Sequence, residues 1–231
     1  MALMNRPPAT SVKALSQEAL RIHAALPQTQ CQRCGYPDCA GYAHAIAHEA
    51  APINQCPPGG AEGLQRLAAL TSQAATALNP QFGVAQERTV AYIDEAWCIG
   101  CTLCIKACPV DAIIGSNKHM HTIIEADCTG CELCIPACPV DCIELEIVTP
   151  GQTGWQAWSQ SAADQALQRY ELHSYIINKH LDYKAKRQVK ALTDKLSDLP
   201  AHSRITDPAV LDKKRSMVEA AMQKARDKKA Q

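Results

Sequence analysis

Trp97-Cys98-Ile99-Gly100-Cys101-Thr102-Leu103-Cys104-Ile105-Lys106-Ala107-Cys108-Pro109-Val110-Asp111 decides the architecture, because the chain writes it twice. The second copy is Asp127-Cys128-Thr129-Gly130-Cys131-Glu132-Leu133-Cys134-Ile135-Pro136-Ala137-Cys138-Pro139-Val140-Asp141, aligned without gaps at an offset of 30 residues. Self-similarity at a fixed period is a strong architectural signal. Eight of the 13 cysteines in this 231-residue chain lie in these runs, four more lie at 31, 34, 39 and 56, and one at 142. No apolar leader follows the start, and no stretch reaches the roughly 18 apolar residues of a membrane span. The expectation is therefore a chain without a transmembrane helix, in a reducing cytosol where disulfides are disfavoured. Cysteines in such numbers then read as metal ligands.

C-x2-C-x2-C-x3-C-P, twice over, is the bacterial two-cluster ferredoxin spacing. Three cysteines two residues apart curl around one face of a [4Fe–4S] cube, while the fourth reaches the neighbouring cube. This assigns Cys98, Cys101, Cys104 and Cys138 to one cluster, and Cys128, Cys131, Cys134 and Cys108 to the other. A pair of zinc ribbons explains the C-x2-C knuckles but not the third cysteine or the C-P ending. Pro109 and Pro139 turn the chain away, and Gly100 and Gly130 are expected to let backbone N–H groups approach the sulfurs. Ile99, Leu103, Ile105, Ile113, Leu133 and Ile143 are expected to screen the cubes from water. Cys142, whose counterpart is Ala112, is surplus to both sets and reads as a packed, inert thiol.

The N-terminal quartet is Cys31-x2-Cys34-x4-Cys39-x16-Cys56. Its spacing alone leaves a [4Fe–4S] cluster, a zinc site and a [2Fe–2S] cluster open. Leu26-Pro-Gln-Thr-Gln-Cys31, Cys34-Gly-Tyr-Pro and Ile53-Asn-Gln-Cys56-Pro-Pro-Gly-Gly60 resemble the N-terminal iron–sulfur domain of the B subunit of Rnf electron-transport complexes. Ala91-Tyr-Ile-Asp-Glu, Asp111-Ala-Ile-Ile-Gly and Met120-His-Thr-Ile-Ile are similar to that family's two-cluster domain. The resemblance runs over residues 11–148. It implies that Cys31, Cys34, Cys39 and Cys56 hold a third [4Fe–4S] cluster, and that electrons pass between redox partners. Typical members begin with a membrane-anchoring helix and lack a basic cysteine-free tail, which points to a soluble relative acting as a stand-alone ferredoxin.

The expected fold class is α+β in three parts. These are a helical [4Fe–4S] domain over 11–79, a two-cluster ferredoxin-type domain with a pseudo-twofold repeat over 88–148, and a helical extension over 155–231. Residues 12–26, 39–51 and 61–78 read as helices from their apolar spacing, and 79–83 as a linker. Residues 89–93, 121–125 and 142–148 read as strands, and Pro-initiated helical turns are expected at 109–113 and 139–143. Beyond Trp155 the chain reads as two or three helices broken near Leu199-Pro200 and Asp207-Pro208. Trp155 and Trp158 are expected to pack the first of these onto the body.

The balance of 23 basic and 23 acidic residues conceals a split. Residues 1–178 carry 9 basic and 16 acidic side chains, and residues 179–231 carry 14 and 7. An acidic redox body steers toward basic patches on electron donors and acceptors. A basic tail suits an acidic partner or an anionic membrane surface, although charged helices are more often simply solvated. Net neutrality argues against a simple nucleic-acid binder. His119 and His121, between the repeats, read first as structural and second as hydrogen-bond donors near a cluster. No catalytic triad, P-loop or G-x-G-x-x-G run is present. The leading functional expectation is a ferredoxin passing single electrons through three clusters. One alternative is a component, like that B subunit, of a membrane-associated oxidoreductase complex, peripheral at the cytoplasmic face. The other is a redox-sensing module associated with nucleic acid.

Overall fold

A computed structural model describes residues 12–199, 201–205 and 207–230, without the side chains of residue 13 and residues 225–230. Ser11, Pro200 and the first ten residues, on which sequence expectations fall, lie outside the described residues. Chain contacts divide the molecule into one compact unit ending at His173 and a second from Ser174 onward.

In the first unit, the cysteine quartet at 31–56 shares an apolar core with three helices. Helix α1 (Gln17–Ala24) is shorter than its apolar pattern, because Ser16 caps its start, accepting from Ala19 N at 3.2 Å, and Pro27 follows its end. Helix α2 (Cys39–His48) is capped by the buried Asp38, whose carboxylate accepts from Gly41 N at 2.6 Å. Helix α3 (Gly60–Thr71) stops seven residues before the expected end at 78, where Ser72 turns left-handed at φ 56°. Ile22, Leu26, Tyr42, Ile46, Leu64 and Leu67 form their common core.

The repeat follows as two strand pairs. Strand β1 (Thr89–Ile93) coincides with its β-branched stretch and runs antiparallel to β4 (Ile143–Ile147). Between them β2 (Ile113–Ile114) pairs antiparallel with β3 (Thr122–Ile123). Each pair joins one half of the repeat to the other: Ile93 faces Ile143, and Ile123 faces Ile113. Both registers obey the 30-residue offset, so the repeat in the letters is also a repeat in the pairing. Backbone torsions agree, with left-handed φ at Gly100 and Gly130 (67° and 66°), Thr102 and Glu132 (63° and 64°), and Asp111 and Asp141 (51° and 49°).

The helical turns at 109–113 and 139–143 do not form. Helix α4 (Leu103–Ala107) lies before Cys108 rather than after it, and residues 133–137 form turns. The left-handed Asp111 and Asp141 interrupt any right-handed turn after the prolines. The strand expected at 121–125 is cut to two residues by a 3-10 turn at Glu125–Asp127.

Helix α5 (Gln160–Ser197) begins in the first unit and continues into the second, and α6 (Pro208–Ala230) starts at the expected proline. Trp155 and Trp158 are buried with Ala163 and Ala166, as their spacing suggested. The start of α5 ties the two cysteine-bearing regions together. Arg169 Nε donates to the Val110 carbonyl at 2.8 Å and its Nη2 meets Asp127 at 3.1 Å. Its neighbour Tyr170 donates to the buried Asp38 at 2.9 Å. Among the described residues no helix is long and apolar enough to cross a membrane.

Candidate metal centres

Three cavities, each lined by four of the cysteines grouped from the sequence, occupy the first unit. Cys108, Cys128, Cys131 and Cys134 line a small cavity with Val110, Ile113 and Ile123. Cys98, Cys101, Cys104 and Cys138 line one with His121, Ile143 and Cys142. Cys31, Cys34, Cys39 and Cys56 line one with Leu26 and Tyr42. The repeat therefore exchanges its fourth cysteines: Cys108 faces the second run and Cys138 the first. All 13 cysteines are free.

Local structure explains how each set is presented. In both halves the first two cysteines sit on a loop turned by a left-handed glycine, where any side chain would collide, and the third opens the helix or turn that follows. A Cβ on Gly100 would come within 2.6 Å of the His119 backbone, and one on Gly130 would be driven into the Thr89 carbonyl. These glycines thus admit neighbouring backbone. At the crossed ligands the nearby amides are those of Val110 and Ala112 at Cys108, and of Val140 and Cys142 at Cys138. Ala112 N lies 3.3 Å from Cys108 Sγ. In the N-terminal set, Gln30 is fully buried and accepts from Cys39 N at 2.9 Å, fixing the start of α2. The Tyr42 hydroxyl donates to Pro52 O at 2.7 Å and accepts from Gln55 N at 3.2 Å, which returns the chain to Cys56.

Donor chemistry and geometry fit a cube-shaped iron–sulfur group at each cavity. Sulfur-only quartets suit iron–sulfur clusters or zinc. A zinc ion needs four sulfurs about 2.3 Å from one point. Among the described residues no three His, Cys, Asp or Glu side chains converge in that way; the cysteines surround a volume instead. Burial pushes the Cys34 and Cys104 thiols up to about 11, and Cys131 and Cys134 up to about 12. Cys39 and Cys56 are raised by burial too. Ligands must be thiolates, so metal binding releases these protons and couples to folding.

Screening is uneven. Ile113 and Ile143 are buried, and Leu103, Ile105 and Leu133 are half-buried, while Ile99 lines the Cys98 cavity but is 58% exposed. Trp97 at 69% and Met120 at 59% are exposed on adjoining chain. Cys142 is buried beside the first set, its Sγ 3.5 Å from Cys138 Sγ. His121 is buried and contacts Cys104 at 3.2 Å, whereas the exposed His119 contributes only backbone.

Contacts between the loops escaped the sequence, since no local pattern records them. The Thr129 hydroxyl donates to Thr29 O at 3.0 Å, across 100 residues. Arg33 pairs with Glu132 at 2.5 Å. Trp158 Nε1 donates to Pro27 O at 2.8 Å, and Arg88, over the Trp158 ring, donates to Cys128 O at 2.8 Å.

Comparison with known proteins finds iron–sulfur families over both cysteine-bearing regions. Residues 91–145 match the family described as "4Fe-4S dicluster domain", and residues 26–58 match "Putative Fe-S cluster". The chain is 57% identical over 136 residues to the B subunit of the ion-translocating oxidoreductase complex of Azoarcus sp. (strain BH72), covering 59% of this chain and 74% of that protein. It is 52% identical over 136 residues to the protein of the same name from Erwinia tasmaniensis, covering 59% and 71%. With the one from Thiobacillus denitrificans it is 58% identical over 106 residues, covering 46% and 56%. No solved structure matches. The chain is an iron–sulfur electron-transfer protein, and it belongs to the B-subunit family of ion-translocating oxidoreductase complexes.

Proposed function

We propose that this chain passes single electrons through three [4Fe–4S] clusters as the B-type component of a membrane-associated, ion-translocating oxidoreductase. The observation that carries the reading is the set of three cavities, each lined by its own cysteine quartet. The ligand sets are Cys98, Cys101, Cys104 and Cys138; Cys108, Cys128, Cys131 and Cys134; and Cys31, Cys34, Cys39 and Cys56. The domains are an N-terminal cluster domain at 11–79, a pseudo-twofold two-cluster domain at 88–148, and a helical extension at 155–231. A [4Fe–4S] cluster supplies a one-electron couple, and the protein supplies its spacing, shielding and partner choice.

The chain's own residues suggest an order. Two contacts, Thr129 to Thr29 and Arg33 to Glu132, join the loop of Cys31 and Cys34 to the loop of Cys128 and Cys131. The crossed cysteines Cys108 and Cys138 then tie the second site to the first. A linear path follows: the N-terminal site, the Cys128 site, then the Cys98 site. Exposed Trp97, Ile99 and Met120 make that last end the one open to a partner.

The names of the relatives favour a component of a complex over the stand-alone ferredoxin first expected and over a nucleic-acid-associated module. Association is peripheral, at the cytoplasmic face, through the acidic body or the basic tail. Washed membranes from the source cell test this. Retention that high salt releases supports the complex. Complete recovery in the soluble fraction at low salt supports a free carrier.

A further inference from the structure

The two halves of the repeat match in backbone, and two of the side chains that differ between them lie against the sulfurs of one site. Val110 and Ala112 amides at Cys108 are mirrored by Val140 and Cys142 amides at Cys138. Backbone donation to the crossed ligands is therefore shared between the halves. The repeat counterpart of His121 is Ala91, which lines the cavity of the Cys128 site and offers no side-chain donor. Its ring is 1% exposed, with Nδ1 3.2 Å from Cys104 Sγ. A metal-bound thiolate only accepts, so Nδ1 is the donor there. Nε2 is buried without a partner, a cost that a purely structural histidine would avoid. Room for the ring comes from Gly115, where any Cβ would collide with His121 Cδ2. The second difference is Cys142, whose counterpart is Ala112 and whose Sγ sits 3.5 Å from Cys138 Sγ. Thr129 lies near Cys131 in the other site, but its one hydroxyl proton is committed to Thr29 O at 3.0 Å.

We propose that His121 and Cys142 are a repeat-breaking pair of sulfur-directed donors that raises the reduction potential of the Cys98, Cys101, Cys104 and Cys138 site, drawing the electron toward that end. This rests on the three-cluster reading above. Reduction adds negative charge that spreads onto the sulfurs, so a donor to sulfur strengthens in the reduced state. Both are positioning residues that act through the ligands. Each shifts the reduced-to-oxidised ratio by about tenfold, which is 59 mV for a one-electron couple.

The test is an EPR-monitored redox titration of the whole iron-loaded chain. His121→Leu and Cys142→Ala should each lower the midpoint of the same single signal, additively in the double variant, with the other signals unmoved. His121→Gln and Cys142→Ser, which keep a donor, should restore most of the shift. Ala112→Cys should raise the midpoint of a different signal. Unchanged midpoints at full iron content would overturn the proposal, and so would iron loss in Cys142→Ala, which would make Cys142 a ligand. Should His121→Leu lose iron, Cys142→Ala carries the test, because alanine is already accommodated at position 112. Failure of the three-cluster reading is seen separately, as a low iron count in the unmodified chain.

Discussion

The hydroxyl of Thr129 donates to the carbonyl of Thr29 at 3.0 Å, joining the residue after Cys128 to the residue two before Cys31. Both partners are buried, so the bond is shielded from water. It links the N-terminal site directly to the two-site domain. Thr129→Val should keep its iron, lose about 1 kcal/mol of stability, and slow electron transfer between these two sites. Flash reduction of a single site followed by optical relaxation checks the rate.

Arg169 and Tyr170, adjacent on α5, grip the Cys108 loop and the capping Asp38 respectively. Tyr170→Phe leaves a buried carboxylate short of a donor and should cost about 1–3 kcal/mol. Because loss of the clusters accompanies unfolding, the denaturant midpoint of cluster absorbance is the measure. It should fall in Tyr170→Phe and Arg169→Ala, with no change in the redox midpoints.

His23 is 3% exposed, and burial lowers its pKa, with Asp38 opposing. Its folded value therefore lies below the unfolded value of about 6.5. The folded state binds fewer protons than the unfolded state, so this stability is complete above about 6.5 and declines as pH falls toward the lowered value. Denaturant midpoints between pH 8 and pH 5 should drop below 6.5, and His23→Gln should flatten that part of the curve.

Gly100 and Gly130 face neighbouring backbone with left-handed φ. Alanine there adds a conformational cost of about 1–2 kcal/mol as well as a collision with the His119 backbone or Thr89 O. Gly100→Ala should deplete iron at the Cys98 site and Gly130→Ala at the Cys128 site, each read as loss of one third of the bound iron.

The cysteine quartets, the repeat and β1 were readable because spacing is local and the cysteines carry their chemistry openly. The helical turns expected after Pro109 and Pro139 were misplaced because left-handed torsions at Asp111 and Asp141 leave no mark in composition. Ile99 lines the Cys98 cavity as expected of an apolar neighbour, yet it keeps 58% of its surface exposed. Gln30, Tyr42, Thr129 and Tyr170 position the sites through buried hydrogen bonds whose partners are mostly distant in sequence, from 9 residues for Gln30 to 132 for Tyr170. Gln28, Gln30 and Gln32 alternate along the N-terminal loop, each with a left-handed φ that the letters do not record.

Anaerobic iron and sulfide analysis of the purified chain, with EPR of the reduced form, tests the central claim most directly. Three cubes predict about twelve irons and about twelve sulfides per chain with three coupled [4Fe–4S] signals. About eight irons with one zinc would contradict the assignment of Cys31, Cys34, Cys39 and Cys56.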